Sequence, residues 1–356
     1  MICINMPEFG VELCRTYRRV FNGLGELPFS GHLLMKCLPL TALGILSLAL
    51  PNGLLAQTPM SVEHLQQEDL RLARIAESML SANRTLCRQT MPITGMVIHS
   101  RDQYGTGDVA GFENGSVAIA LIVPGSAAEV SALHRGDAIL AIGGSDITGL
   151  QPSADAPVRD AVFDLLAEQA PTEPLHLRIA RAGTEFDVTL SPQAGCHALA
   201  EILADERVIA RSDGRVIQVS YGLASGMSDD GLAAIFAHEL AHSVLEHRRR
   251  LSEAGVSKGF LGEIGGDQQR NRQMEVEADR LSIHLLANAG LDPHIPVRFW
   301  LSDEGRRMDA GLLRSLIYPS PADRAAIMER EIADYLALGH GPTWPGHLLA
   351  RRDRGS

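Results

Sequence analysis

Apolar residues recur at helical spacing between Ser61 and Asn83, where Leu65, Leu72, Ile75, Met79 and Leu80 share one broad face; this predicts an amphipathic helix packed on a core. From about Ile93 to Pro192 the pattern changes to short apolar runs separated by Gly, Pro, Asp and Ser, as in a small β-rich module. Ala198 to Asp205 reads as helical. Val208-Ile209-Ala210, the turn at Ser212-Asp213-Gly214 and Val216 to Ser220 read as a hairpin. Between Ala233 and Leu245 only His238, Glu239, His242 and Ser243 are polar, which predicts a helix buried on most of its circumference. Ser228, Asp229 and Asp230 cap its start, and Arg248, Arg249 and Arg250 close it as a solvated terminus. Gly255 to Gly266 is glycine-rich and reads as a loop or lid. A second helix runs from about Gln269 to Ala289, stopped by Gly290 and Asp292-Pro293. The tail from His340 mixes Gly, Pro and Arg and is expected to be loosely ordered.

The polar residues of the buried helix need partners, because two imidazoles and a carboxylate are costly to bury without them. His238 and His242 stand four apart on adjacent turns, so one metal ion can bridge them, with Glu239 beside it. A catalytic zinc keeps three protein ligands and leaves a fourth position for water. The layout H-E-x-x-H-x-x-G-x-x-H fails here, since Leu245 and Arg248 occupy the glycine and histidine positions and His247 misses by one residue. In the other layout a Glu arrives from a second helix. Glu275 and Asp279 share a face of such a helix, so Glu275 can bind the ion while Asp279 holds a ligand histidine. Glu277 is expected to point elsewhere and be solvated, and His284, on the face opposite Glu275, reads as a core or surface residue.

His238-Glu239-x-x-His242 followed by Glu275-x-x-x-Asp279 resembles the gluzincin peptidases typified by the CaaX prenyl protease and HtpX, and in particular their soluble periplasmic relatives. The resemblance covers roughly residues 61 to 92 and 193 to 335. It implies one zinc ion per chain on His238, His242 and Glu275, with Glu239 as general base, and an edge strand of the hairpin that holds a polypeptide substrate in extended form. Tyr318-Pro319-Ser320-Pro321-Ala322-Asp323-Arg324 aligns with a segment that usually carries a histidine where this chain has Tyr318. By that resemblance Tyr318 would donate to an oxyanion and Arg324 would brace the cleft.

Val117 to Ala128, with Pro124-Gly125-Ser126, leads into Leu133-His134-Arg135-Gly136-Asp137 and a further apolar run, and this resembles a PDZ domain of the bacterial protease type. Val158 to Gln169 would be its groove helix and Leu175 to Ser191 its closing strands. Ala132 stands where a glycine is usual. The resemblance implies capture of a peptide or chain end by strand addition, or else a spacer shaping access to the active site.

The expected fold class is α+β: a mostly helical peptidase domain with a small β-sheet, formed by residues 57–92 and 193–340 and interrupted by a PDZ-like domain at 93–192. Met35-Lys36, the apolar run Cys37 to Leu50 and Leu54-Leu55-Ala56-Gln57 resemble a signal peptide at 35–56, with residues 1–34 a leader ahead of the true start. That run is too short to span a bilayer, which takes roughly 20 apolar residues, so no integral span is expected in the mature chain and the protein is read as periplasmic or exported. A net charge of -11 argues against nucleic acid as a partner. With the leader gone, Cys87 and Cys196 remain, at the neck of the insertion, and are read as one disulfide or as two buried thiols. The alternative function from another class is a PDZ-bearing holdase or assembly factor with a latent zinc site.

Overall fold

The structure, a computed structural model, describes residues 61–104, 110–154, 156–255, 266–310, 319–336 and 342–353. The leader, the signal segment, most of the glycine-rich loop and Tyr318 lie outside the described residues.

Ser61 caps helix α1 (Val62–Ala82) by accepting a hydrogen bond from the His64 N–H, and the helix buries Leu65, Leu72, Met79 and Leu80. Strand β1 (Thr90–Ile93) follows and pairs antiparallel with β8 (Gln193–Cys196), with Ile93 opposite Gln193. This two-stranded neck brings the two ends of the β-rich module together. Cys87 and Cys196 are bridged there by a disulfide, with Cα atoms 5.5 Å apart and a sequence separation of 109. In the chain-entropy account, closing a loop of that length stabilises the fold by about 4–5 kcal/mol.

The module is one antiparallel sheet in the order β2 (Met96–Ser100), β3 (Val117–Ile122), β4 (Ala138–Ile142), β6 (Leu175–Arg181), β7 (Thr184–Leu190), with β5 (Ser145–Asp146) paired to β4. Helix α2 (Val158–Ala167) packs Val158, Val162, Phe163 and Leu166 into a core with Ile119, Ile139, Leu177 and Ile179. The alternation of apolar and polar positions in β6, buried at Leu175, Leu177 and Ile179, shows why these residues form a half-covered sheet.

Beyond the neck, residues 199–203 form strand β9 (Leu199–Leu203), not the helix their local pattern predicts. Pairing decides the outcome. β9 lies parallel to β11 (Val216–Ser220), which pairs antiparallel with β10 (Ala210–Ser212), and strand burial overrides the helix propensity of Leu, Ala and Glu. The β10–β11–β9 sheet and α1 enclose α4 (Asp229–Val244), reached through the short helix α3 (Tyr221–Ala224). Helix α5 (His247–Glu253) follows α4, and α6 (Gly266–Asn288) packs along it. α7 (Ile295–Leu301), α8 (Asp303–Ala310) and α9 (Pro321–Tyr335) complete this helical layer. The tail does not remain loose. Gly346–Asp353 forms helix α10, which buries Leu348 and Leu349 in the main core, while Arg352 Nη1 donates to the Leu86 carbonyl at 2.6 Å. Among the described residues no helix is long and apolar enough to cross a membrane.

The module meets the helical part through Arg159–Glu201 and Arg215–Asp164 ion pairs and through His99 Nε2, 3.2 Å from Asp69 Oδ2. A cavity at this junction is lined by Val97, Ile98 and Phe163 of the module and by Ala73, Glu77 and Ala200 opposite. Burial lifts the Glu77 pKa to about 7, against a hydrogen bond from the Gly95 backbone. The folded value lies above the unfolded one, so this group's contribution is complete below about pH 4.5 and is lost as pH rises through 7. Thermal unfolding should therefore show stability falling by up to about 3 kcal/mol over that window, and Glu77→Gln should flatten the slope. An unchanged slope in the variant would contradict this.

Candidate metal centre

α4 begins at Ser228, whose side chain accepts from the Gly231 N–H at 3.1 Å, and Asp229 and Asp230 place negative charge at the positive end of the helix. Its apolar residues are buried around the whole circumference, Phe236, Leu240 and Ala241 completely. That all-round burial fixes the helix in place and leaves its polar residues no solvent to turn to. His238 and Glu239 are buried with it.

α6 crosses α4 so that Glu275 faces both histidines. The Nε2 atoms of His238 and His242 are 3.1 Å apart, and the Glu275 carboxylate oxygens lie 3.2 Å from the first and 3.5 Å from the second. For zinc bonds of about 2.0–2.1 Å, tetrahedral ligands stand about 3.3 Å from one another. The three separations bracket that value, so the donor set fits such an ion.

Both imidazoles have their other nitrogen occupied. His238 Nδ1 is 3.1 Å from Asp279 Oδ1, and the Arg324 Nε donates to Asp279 Oδ2 at 2.8 Å, with a second, shorter bond from its Nη2. The Arg324 guanidinium is stacked over the Trp300 ring at 3.7 Å. Burial alone would raise the Asp279 pKa, but the Arg324 charge and the His238 bond outweigh it and hold the carboxyl ionised. An ionised Asp279 takes the His238 Nδ1–H, which leaves the Nε2 lone pair for an ion. Burial disfavours charge on His238, yet the carboxylates of Asp279 and Glu275 raise its pKa overall, so the surroundings favour positive charge at this point.

The second histidine is held by a longer chain. Glu246 ends the α4 turn in the left-handed region, at φ 52, and turns the chain so that the ring of His247 returns to His242, with the two Nδ1 atoms 2.8 Å apart. His247 Nε2 lies 3.3 Å from Glu277 Oε2. Glu277 is therefore not solvated. It is fully buried and accepts bonds from Arg250 at 2.7 Å and Arg351 at 2.9 Å. Burial pushes its pKa up, but the bonds from His247, Arg250 and Arg351 prevail and keep it far below the usual carboxylate range. With Glu277 ionised, His247 donates its Nε2–H to it. The His247 Nδ1 is then an acceptor, and His242 must donate its Nδ1–H to it, which leaves the His242 Nε2 lone pair facing Glu275 and His238. Burial also holds the His242 pKa well below its ordinary value, so the ring is neutral. Arg250, likewise, is no solvated terminus but part of this buried group.

Sequence reading missed the Glu277–His247 arm because the break at Leu245-Glu246 carries no glycine to mark it. On an unbroken helix His247 falls half a turn away from His238. The residues expected to act together, His238, His242, Glu275, Asp279 and Arg324, do meet at one place.

Residues 94–157 match the PDZ domain, and residues 209–261 match Peptidase family M48. The chain is thus similar to Peptidase family M48 over the stretch that carries α4, and similar to the PDZ domain over a stretch that precedes it. Among known proteins, it is 28% identical over 155 residues to a beta-barrel assembly-enhancing protease of Vibrio cholerae, a match covering 35% of this chain and 32% of that protein. It is 29% identical over 129 residues to the mitochondrial metalloendopeptidase OMA1 of Schizosaccharomyces pombe, covering 30% of this chain and 37% of that one. The matched stretches thus span about a third of the length of each of these relatives.

Proposed function

We propose that this chain is a zinc-dependent endopeptidase that hydrolyses peptide bonds in exported proteins, misfolded or unassembled ones in particular. The observation that carries the reading is the convergence of His238 Nε2, His242 Nε2 and Glu275 at separations suited to one tetrahedral ion, on the same helix turn as Glu239. Zinc held there would polarise the scissile carbonyl and lower the pKa of bound water. Glu239 takes the proton of the attacking water and passes it to the leaving amine. Asp279, and Glu277 through His247, hold the two ligand histidines in the tautomer that binds metal. Arg324 acts through Asp279. β10, an edge strand among the described residues whose Ser212 Oγ is 3.0 Å from Ser243 Oγ of α4, would offer its outer side to an extended substrate backbone.

The PDZ domain binds a peptide or chain end along the edge strand β2, beside α2. That groove opens on the cavity shared with α1 and β9, so its occupancy bears directly on the peptidase part. The Cys87–Cys196 disulfide supports a periplasmic or other oxidising location, and the relative named for β-barrel assembly supports envelope proteins as substrates.

The test is casein hydrolysis by the purified chain before and after removal of metal with a chelator. Activity should vanish on chelation and return with added zinc. Turnover that survives complete metal removal would refute the reading, and a zinc-loaded chain that never cleaves but suppresses aggregation would favour the holdase function.

A further inference from the structure

A second group of metal donors lies between three helices away from the first. His284 of α6, Glu331 of α9 and His347 of α10 offer ligand atoms that all lie within 4.8 Å of one another. His284 and Glu331 are buried, and the His347 side chain is 26% exposed. Both Nε2 atoms point at one oxygen, Glu331 Oε1, at 3.1 Å from His284 and 2.7 Å from His347.

The other atoms of these groups are committed elsewhere. Glu331 Oε2 accepts from Arg280 Nε at 2.5 Å, and the His347 ring stacks on Tyr335 with centroids 3.9 Å apart and planes 9° apart. His284 Nδ1 lies 2.9 Å from Thr343 Oγ1, whose hydroxyl donates to Asn288 Oδ1 at 3.1 Å. With its single proton so used, Thr343 Oγ1 accepts the His284 Nδ1–H, and the Nε2 of a neutral His284 turns a lone pair toward a carboxylate oxygen. That contact is repulsive unless a positive charge lies between the two atoms. A proton on His284 would serve one such contact, whereas an ion gathers all three donors at once.

We propose that His284, Glu331 and His347 bind a second divalent transition-metal ion of the zinc type, with a structural role. Two imidazoles and one carboxylate suit such an ion. The present 2.7 and 3.1 Å separations need to open by about 0.6 and 0.2 Å to reach the tetrahedral edge of about 3.3 Å. Arg280 keeps Oε1 turned inward but opposes the added charge, so this site is weaker than the first. The ion would clip α10 to α6 and α9. α10 carries Arg351, bonded to Glu277 at 2.9 Å, and Arg352, whose Nη1 lies 3.4 Å from the Val244 carbonyl at the end of the metal-site helix. The clip therefore steadies the elements behind the catalytic centre.

The test is zinc content after equilibrium dialysis of the full chain against zinc alone. The unaltered chain should retain two ions, His347→Ala one, His238→Ala/His242→Ala one, and the triple variant none. Excess zinc should raise the melting temperature of the His238→Ala/His242→Ala chain and lose that effect when His347→Ala is added. His347→Gln serves the same comparison if the alanine variant is unstable. A zinc content unaltered by removal of His347, whether one or two ions, overturns the proposal, as does a chain that retains none. A single ion that His347→Ala removes would uphold this site and count against the first.

Discussion

Glu239→Gln should lower the rate of casein cleavage by about 10²–10⁴-fold, the range general acid–base catalysis supplies, and leave the zinc content unchanged. Glutamine keeps the shape of the side chain but cannot take a proton from water. Glu239 sits on α4 between the two histidines and is buried, so a neutral replacement of equal size disturbs neither the helix nor its packing. Activity measured against zinc content and circular dichroism separates the proton-transfer role from a structural one. A variant that cleaves at the original rate would remove Glu239 from the chemistry.

Glu275→Ala should abolish cleavage by a different route, through loss of the ion from this centre. The carboxylate is the one anionic donor of the three, placed 3.2 and 3.5 Å from the histidine nitrogens, and two neutral imidazoles alone do not make up a three-ligand catalytic site. Asp279→Asn provides the graded comparison. It leaves all three donors in place and weakens what holds His238 and the Arg324 guanidinium beside it, so zinc affinity should fall about 10–100-fold while the ion still binds at higher concentration. Competition with a chromophoric zinc chelator measures both. The account fails at this point if Asp279→Asn costs more affinity than Glu275→Ala.

Those two effects differ because the residues lie at different depths around the ion, and legibility from sequence follows the same division. His238 with His242, and Glu275 with Asp279, could be read because each pair lies on one helix, where a spacing of four sets a shared face. The capping of α4 by Ser228 and the Asp-Gly turn before β11 are local in the same sense. The strand from Leu199 to Leu203 was not legible, since its helix-favouring residues are overruled by pairing with β11, a partner more than ten residues away. Glu277 looked solvated for a similar reason. Its partners His247, Arg250 and Arg351 come from two other helices, and one of those, α10, belongs to a Gly-, Pro- and Arg-rich tail with no strong periodicity. Its order comes from burying Leu348 and Leu349 and from arginine bonds to distant carbonyls, contacts that exist only in the folded chain.

The same logic explains how a helix so apolar can carry the residues of the proposed metal centre. α4 is held by its core contacts, and the two histidines on it are each answered from other elements: His238 by Asp279 and Arg324, His242 by His247 and Glu277. Ligand orientation is thereby set before any ion arrives, which lowers the cost of binding one.

Anomalous diffraction at the zinc edge, from crystals grown in excess zinc, tests the central claim most directly. The account predicts a peak about 2.0–2.2 Å from His238 Nε2, from His242 Nε2 and from a Glu275 carboxylate oxygen. Absence of a peak among those three atoms, in a preparation that cleaves casein, would contradict it.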